Sequence, residues 1–189
     1  KTTTDLTVAS STITGLAADV IAAYAATGSI NGLGNEAVIL SDTSIDAEVL
    51  ITLDAFTTGI INANSVNTIT GTAADLITAY AANEAGTITG LGNEAINITS
   101  GTATTSQANT LAAATTGILT ATISDLDLLT LLSITESGNA LAITVIAEVV
   151  VASELNTLDS KTTIDLTVYS SRIVAVSYTH LRAHETKRN

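Results

Sequence analysis

The chain has 189 residues with no Pro, Cys, Met or Trp and a single Phe, so its core must be built from Ala, Ile, Leu and Val. A net charge of −12 on only six basic residues argues against nucleic acid and anionic membrane surfaces, which require Lys and Arg. Thr, Asn, Asp or Gly interrupts every apolar run before it reaches the roughly 18 residues of a membrane span.

The predicted elements recur. Helical spacing of apolar residues predicts helices over 17–26, 47–55, 73–82, 125–132 and 153–159, with a further one near 107–114. Leu50 and Leu53, or Leu76 and Tyr80, lie three or four apart and so share a face. Thr14, Asp46, Thr70 and Ser124 stand where N-caps are wanted, and Thr72 with Asp75 resembles a capping box. Between the helices fall seven apolar-x-apolar triplets: Leu6-Thr7-Val8, Val38-Ile39-Leu40, Ile61-Asn62-Ala63, Ile96-Asn97-Ile98, Leu119-Thr120-Ala121, Ile143-Thr144-Val145 and Leu166-Thr167-Val168. Their mean separation of about 27 residues lies in the range of a leucine-rich-repeat coil.

The expected fold is therefore α/β: a solenoid of about seven strand-plus-short-helix coils with one parallel sheet, similar to leucine-rich repeats, over residues 1–174. A parallel β-helix with short helices is the alternative. A single coil cannot offset its own backbone ordering cost, which makes stacking obligatory. Strand alternation places Val8, Leu40, Ala63, Ile98, Ala121, Val145 and Val168 in one buried column. Thr7, Ile39, Asn62, Asn97, Thr120, Thr144 and Thr167 would form one exposed column. With the T-x-T pairs Thr12/Thr14, Thr68/Thr70 and Thr102/Thr104, such a face would suit glycan, ice or ordered water; the plainer account is that Thr favours strands and tolerates solvent.

The hexapeptide GLGNEA occurs at 32–37 and again at 90–95. It is read as a turn between a helix and the next strand, with Gly32, Gly34, Gly90 and Gly92 at positive φ and Asn35 or Asn93 bonding its own backbone. A phosphate loop is the alternative, but such a loop should open a helix rather than a strand. A third cassette, from Thr115, keeps only Gly138-Asn139-Ala140 of the insert. The cassette TITGxAADLITAYAA…GLGNEA…TTG resembles tandem repeats of very large secreted, adhesin-like surface proteins of aquatic bacteria. That resemblance implies an extracellular, structural or adhesive role. Expected partners are neighbouring repeats of a parent chain and surface glycans, with no nucleic acid and no membrane span. It carries over no catalytic residues.

Residues 176–186, VSYTHLRAHET, resemble a translated sequencing adapter, and 175–189 is set apart from the fold as a non-native tail, unstructured or a marginal helix over 181–186. This removes His180, His184 and Glu185, which would otherwise suggest a zinc helix. Three cations against 17 acids then leave 1–174 at −14, read as an internal fragment of a longer array.

Without His or Cys, residues 1–174 lack the histidine-activated nucleophiles and histidine metal sites, so no enzymatic activity is expected. The carboxylate pairs Asp125/Asp127, Asp42/Asp46 and Glu148/Glu154 remain, and acids at helix starts ordinarily serve the helix dipole. No cofactor is expected. Calcium is the cation these acids would best suit, with Asp42, Asp46, Asp125 and Asp127 as candidate ligands, although no EF-hand loop is present.

Overall fold

The computed structural model describes residues 5–175. The readings made of 176–189, including His180, His184, Glu185 and the short helix, lie outside the described residues. In chain order the elements are β1 (Leu6–Thr7), β2 (Thr12–Gly15), α1 (Ala17–Ala25), β3 (Ile30–Asn31), β4 (Ala37–Leu40), β5 (Ser44–Asp46), α2 (Ala47–Asp54), β6 (Ile61–Asn62) and β7 (Thr68–Gly71). There follow α3 (Ala73–Ala85), β8 (Ile88–Thr89), β9 (Ala95–Ile98), α4 (Thr105–Ala114), β10 (Leu119–Thr122), α5 (Leu128–Leu131), β11 (Ala140–Ala142), β12 (Thr144–Val151), α6 (Ala152–Asp159) and β13 (Thr167–Val174). The expected helices are all present, each within a few residues of its predicted bounds.

Every named strand pairing is parallel, and each joins one pass of the chain to the next. A pass is the chain from the end of one helix to the end of the following one. The molecule is α/β, with strands and helices alternating, an arrangement compatible with a coiled or repeat α/β fold. Helices α1 to α4 lie side by side in chain order. Between helices and strands runs one cluster of small branched side chains, with Leu50, Leu53, Leu76, Leu111 and Leu131 from the helices meeting Val38, Ile61, Ile69, Ile96, Leu119 and Leu141 from the strands. Full burial of each Leu or Ile contributes about 1.5 to 3 kcal/mol, and no single pass holds enough of them to stand alone.

The single sheet expected from the triplets is not what forms. Four sheets occur: β1-β3, β2-β4-β6-β8, β5-β7-β9-β10-β11 and β12-β13. Val38 sits opposite Ile61, Ile96 opposite Leu119 and Thr144 opposite Thr167, so three pairs of triplets are neighbours as expected. Leu6, however, pairs with Ile30, Ile61 pairs next with Ile88 rather than Ile96, and Ala121 pairs with Leu141 of β11 rather than with Val145. The reason lies in the long passes. Each GLGNEA turn is preceded by an extra two-residue strand, β3 or β8, so it joins two strands rather than a helix and a strand. The extra strand takes the place beside the previous row, and the triplet that follows begins one row further along.

The alternation within each triplet holds even so. Leu40, Ala63, Ala121 and Val145 are buried and Val8, Ile98 and Val168 half-buried, whereas none of the middle residues is buried. The exposed column is broken into separate rows, Thr14–Ile39–Asn62–Thr89 and Asp46–Thr70–Asn97–Thr120–Ala140. Ile39 and Ala140 interrupt them, and Thr12/Thr14 and Thr68/Thr70 fall on different sheets, so no continuous threonine face exists among the described residues.

Candidate functional site

The two GLGNEA turns each place a glutamate in the interior. Glu36 and Glu94 are 1 % exposed, and no other acid among the described residues is buried to that degree. A buried carboxylate is costly unless it is surrounded by donors, and the turn supplies them. Glu36 Oε2 accepts from the backbone N–H of Gly34 at 2.8 Å, from Asn35 N–H at 3.1 Å and from the Tyr24 hydroxyl at 3.1 Å. Glu94 is held in the same way: Gly92 N–H reaches both of its oxygens at 3.0 and 2.9 Å, Asn93 N–H donates to Oε2 at 3.0 Å, and the Tyr80 hydroxyl donates to Oε1. In the first copy Oε1 of Glu36 is buried without a partner. The glycines are required because φ is +136° at Gly34 and +132° at Gly92, where a side chain would be strained.

The same glutamates fix the following pass through their main chain. Thr57 Oγ1 donates to the Glu36 carbonyl at 2.8 Å and Thr115 Oγ1 to that of Glu94 at 2.7 Å. Thr58 N–H and Thr116 N–H donate to the Gly34 and Gly92 carbonyls, both at 2.9 Å. The next residue lies so close that a Cβ at Gly59 or Gly117 would fall 2.1 or 2.2 Å from the glutamate carbonyl oxygen. Tyr24, half of this arrangement on the helix side, also stacks on Phe56 with ring centroids 5.9 Å apart. Tyrosine on a helix, GxGNE in a turn and Thr-Thr-Gly on the next pass therefore form one unit, present twice.

Electrostatics keeps each partner in its role. Burial by itself would raise the Glu36 pKa, but the amides of Gly34, Glu36 and Asn35 and the Tyr24 hydroxyl together outweigh it and hold the carboxyl below its ordinary value. Burial pushes the Tyr24 phenol upward, with the hydroxyl of Thr57 opposing and the Glu36 charge reinforcing the shift. Tyr80 is driven far upward, by burial first and by Glu94 second. The Glu36 carboxylate stays an acceptor, and the phenols of Tyr24 and Tyr80 stay donors. Neither is presented to solvent, so the unit binds the chain to itself.

Comparison with protein-family models, with curated proteins and with solved structures gives no match. The functional reading rests on this chain alone.

The third cassette shows what happens when the glutamate is lost. Thr162 Oγ1 donates to the Leu141 carbonyl at 2.7 Å and Thr163 N–H to that of Asn139 at 2.9 Å, which puts Leu141 where Glu36 and Glu94 stand. No tyrosine is present on the preceding helix α5, and Ile164 replaces the close-packed glycine. Asn139 instead accepts from Leu119 N–H at 2.9 Å, joining its pass to the one before.

The four candidate calcium ligands are found at four different helix N-termini. Asp46 caps α2 by accepting from Glu48 N–H at 3.0 Å, and Asp127 caps α5 by accepting from Thr130 N–H at 3.0 Å. Asp42 and Asp125 reach back to the preceding pass, accepting from Ala17 N–H of α1 at 2.9 Å and Thr105 N–H of α4 at 2.6 Å. Among the described residues no three acids gather as a metal-binding group. Thr14, Thr70 and Ser124 are not N-caps; Leu16, Thr72 and Asp127 occupy those positions. The full capping box is Thr104 with Gln107 on α4, which the sequence reading did not name. Nor did it single out Glu36, Glu94 or Tyr24, and it named Tyr80 only as a residue of a helix face. The expected bond from the Asn35 or Asn93 side chain is replaced by their backbone N–H groups donating to the glutamate. Among the described residues no helix is long and apolar enough to cross a membrane.

Proposed function

We propose that the chain is a non-enzymatic structural repeat segment, wound as an α/β solenoid similar to leucine-rich repeats, that serves as a spacer or adhesive stalk of a large extracellular surface protein. The observation that carries this reading is the use made of the polar groups that recur. Glu36, Glu94 and their Thr-Thr partners join one pass to the next, and Asp42 and Asp125 cap the helix of the pass before. A segment whose recurring buried and capping acids serve cohesion is suited to holding length and shape. The cassette's resemblance to secreted surface repeats supports an extracellular setting and surface glycans as the contact chemistry of an adhesive form.

The test is calorimetric titration of the purified chain with calcium, together with attachment of chain-coated beads to immobilised glycans. A spacer shows no saturable calcium binding and no attachment, and an adhesive stalk shows attachment without calcium binding. Saturable calcium binding, or turnover of an attached glycan, would contradict the reading.

A further inference from the structure

We propose that the edge of β13 turned away from β12 is an interface for the β3 and β4 strands of a second copy of this unit, so that units stack end to end through one shared pass. The proposal rests on the solenoid-spacer reading and deepens it by naming the partner. Its starting point is a longer repeat than the cassette: Lys161–Ile173 matches Lys1–Ile13 at an offset of 160, with ten identities in thirteen positions. Only Ile164, Tyr169 and Arg172 differ, standing where Thr4, Ala9 and Thr12 stand in the first occurrence.

The two occurrences present the same strand bonded on opposite edges. At the C-terminal one, Thr167 N–H donates to the Ile143 carbonyl of the preceding pass at 3.0 Å. At the N-terminal one, Leu6 N–H and Val8 N–H donate to the Ser29 and Asn31 carbonyls of the following pass at 2.9 and 2.8 Å. Successive amides of a strand point to alternate edges, so the amides of Leu166 and Val168, which match Leu6 and Val8, face the outer edge of β13. The local geometry repeats as well. Ser10 Oγ donates to the Thr12 carbonyl at 2.7 Å and accepts from Thr12 N–H at 3.3 Å; Ser170 Oγ does the same with Arg172 at 2.9 and 3.2 Å.

Overlaying the occurrences merges their rows. Val150 pairs with Ile173, and Ile13 pairs with Val38, so Ile173 would take the place of Ile13 between two fully buried valines. Thr144, Thr167 and Asn31 would form the outward row beside it. Ile173 is now 59 % exposed and Leu6 58 %, although each occupies a position that is half-buried in the other occurrence. An apolar strand edge of this kind is a pairing template, and the sequence that has a matching register is the unit's own second pass.

The test joins residues 1–173 to residues 14–189 of a second copy, so that 161–173 serves as the first pass of the second unit, and compares it with the full single chain. The tandem chain should unfold in one transition with a midpoint above that of the single chain. Ile173→Asp should leave the single chain's midpoint unchanged and lower that of the tandem chain when placed at the junction. Two transitions, or a midpoint equal to the single chain's with a neutral Ile173→Asp at the junction, would overturn the proposal. If that variant fails to fold, hydrogen exchange at Leu166 and Val168 decides: slowing in the unsubstituted tandem chain supports stacking, and unchanged rates overturn it. Calcium or glycan binding would leave these outcomes untouched, so failure of the spacer reading and failure of stacking are separable.

Discussion

At the scale of single residues, the two glutamates differ in one respect that decides how each tolerates loss of charge. Both oxygens of Glu94 accept hydrogen bonds, so the NH2 of Glu94→Gln either faces the Gly92 and Asn93 amides or makes the Tyr80 hydroxyl give up its donation and accept instead; the expected cost is about 1 to 3 kcal/mol in a denaturant titration. Glu36 has its donors on Oε2 and none on Oε1, so Glu36→Gln can turn its NH2 toward the empty side and should cost less than Glu94→Gln. A double-mutant cycle of Glu94→Gln with Tyr80→Phe should show coupling, because the phenol donates to that carboxylate. Glu36 also sets a pH dependence. Its folded pKa lies below its ordinary value of 4.5, so the stability it contributes is fully present above that value and is lost as pH falls through the lowered one. Acid titration of the melting midpoint should therefore show a fall below about pH 4.5 that is shallower in Glu36→Gln.

At the scale of elements, the close approach of one pass to the next predicts a large effect from a small change. Gly117→Ala would set a Cβ 2.2 Å from the Glu94 carbonyl oxygen, so the backbone must part there and the Thr115 and Thr116 bonds weaken with it. The loss should exceed about 3 kcal/mol in urea titration, beyond the usual range for a single substitution. The helices were legible in the sequence because Leu50 and Leu53, or Leu76 and Tyr80, repeat at helical spacing, and the triplets were legible because Ile39 and Asn62 stand between inward residues. The rows were not. Strands of two residues such as Ile30–Asn31 and Ile88–Thr89 carry no alternation to read, yet they shift every triplet after them by one row. The glutamates were missed because a lone acid in a glycine-rich turn looks solvated. The signal was present all the same: Tyr, GxGNE and Thr-Thr-Gly occur together in two cassettes, and in the third the tyrosine and the glutamate are lost together and Ile164 replaces the glycine.

At the scale of the whole molecule, the passes are held to their neighbours by parallel strands, by acids capping the adjacent helix and by the glutamate units, so each pass depends chiefly on the two beside it. The central claim is that the buried glutamates serve as internal fasteners of this stack. The backbone amides of Gly34, Asn35, Gly92 and Asn93 test it most directly, since their hydrogen bonds run to the two carboxylates. Native-state hydrogen exchange should find all four protected in the unsubstituted chain. In Glu94→Ala, which removes both acceptor oxygens, Gly92 and Asn93 should exchange fast while Gly34 and Asn35 stay slow. Exchange of all four at the rate of an open surface turn in the unsubstituted chain would contradict the account.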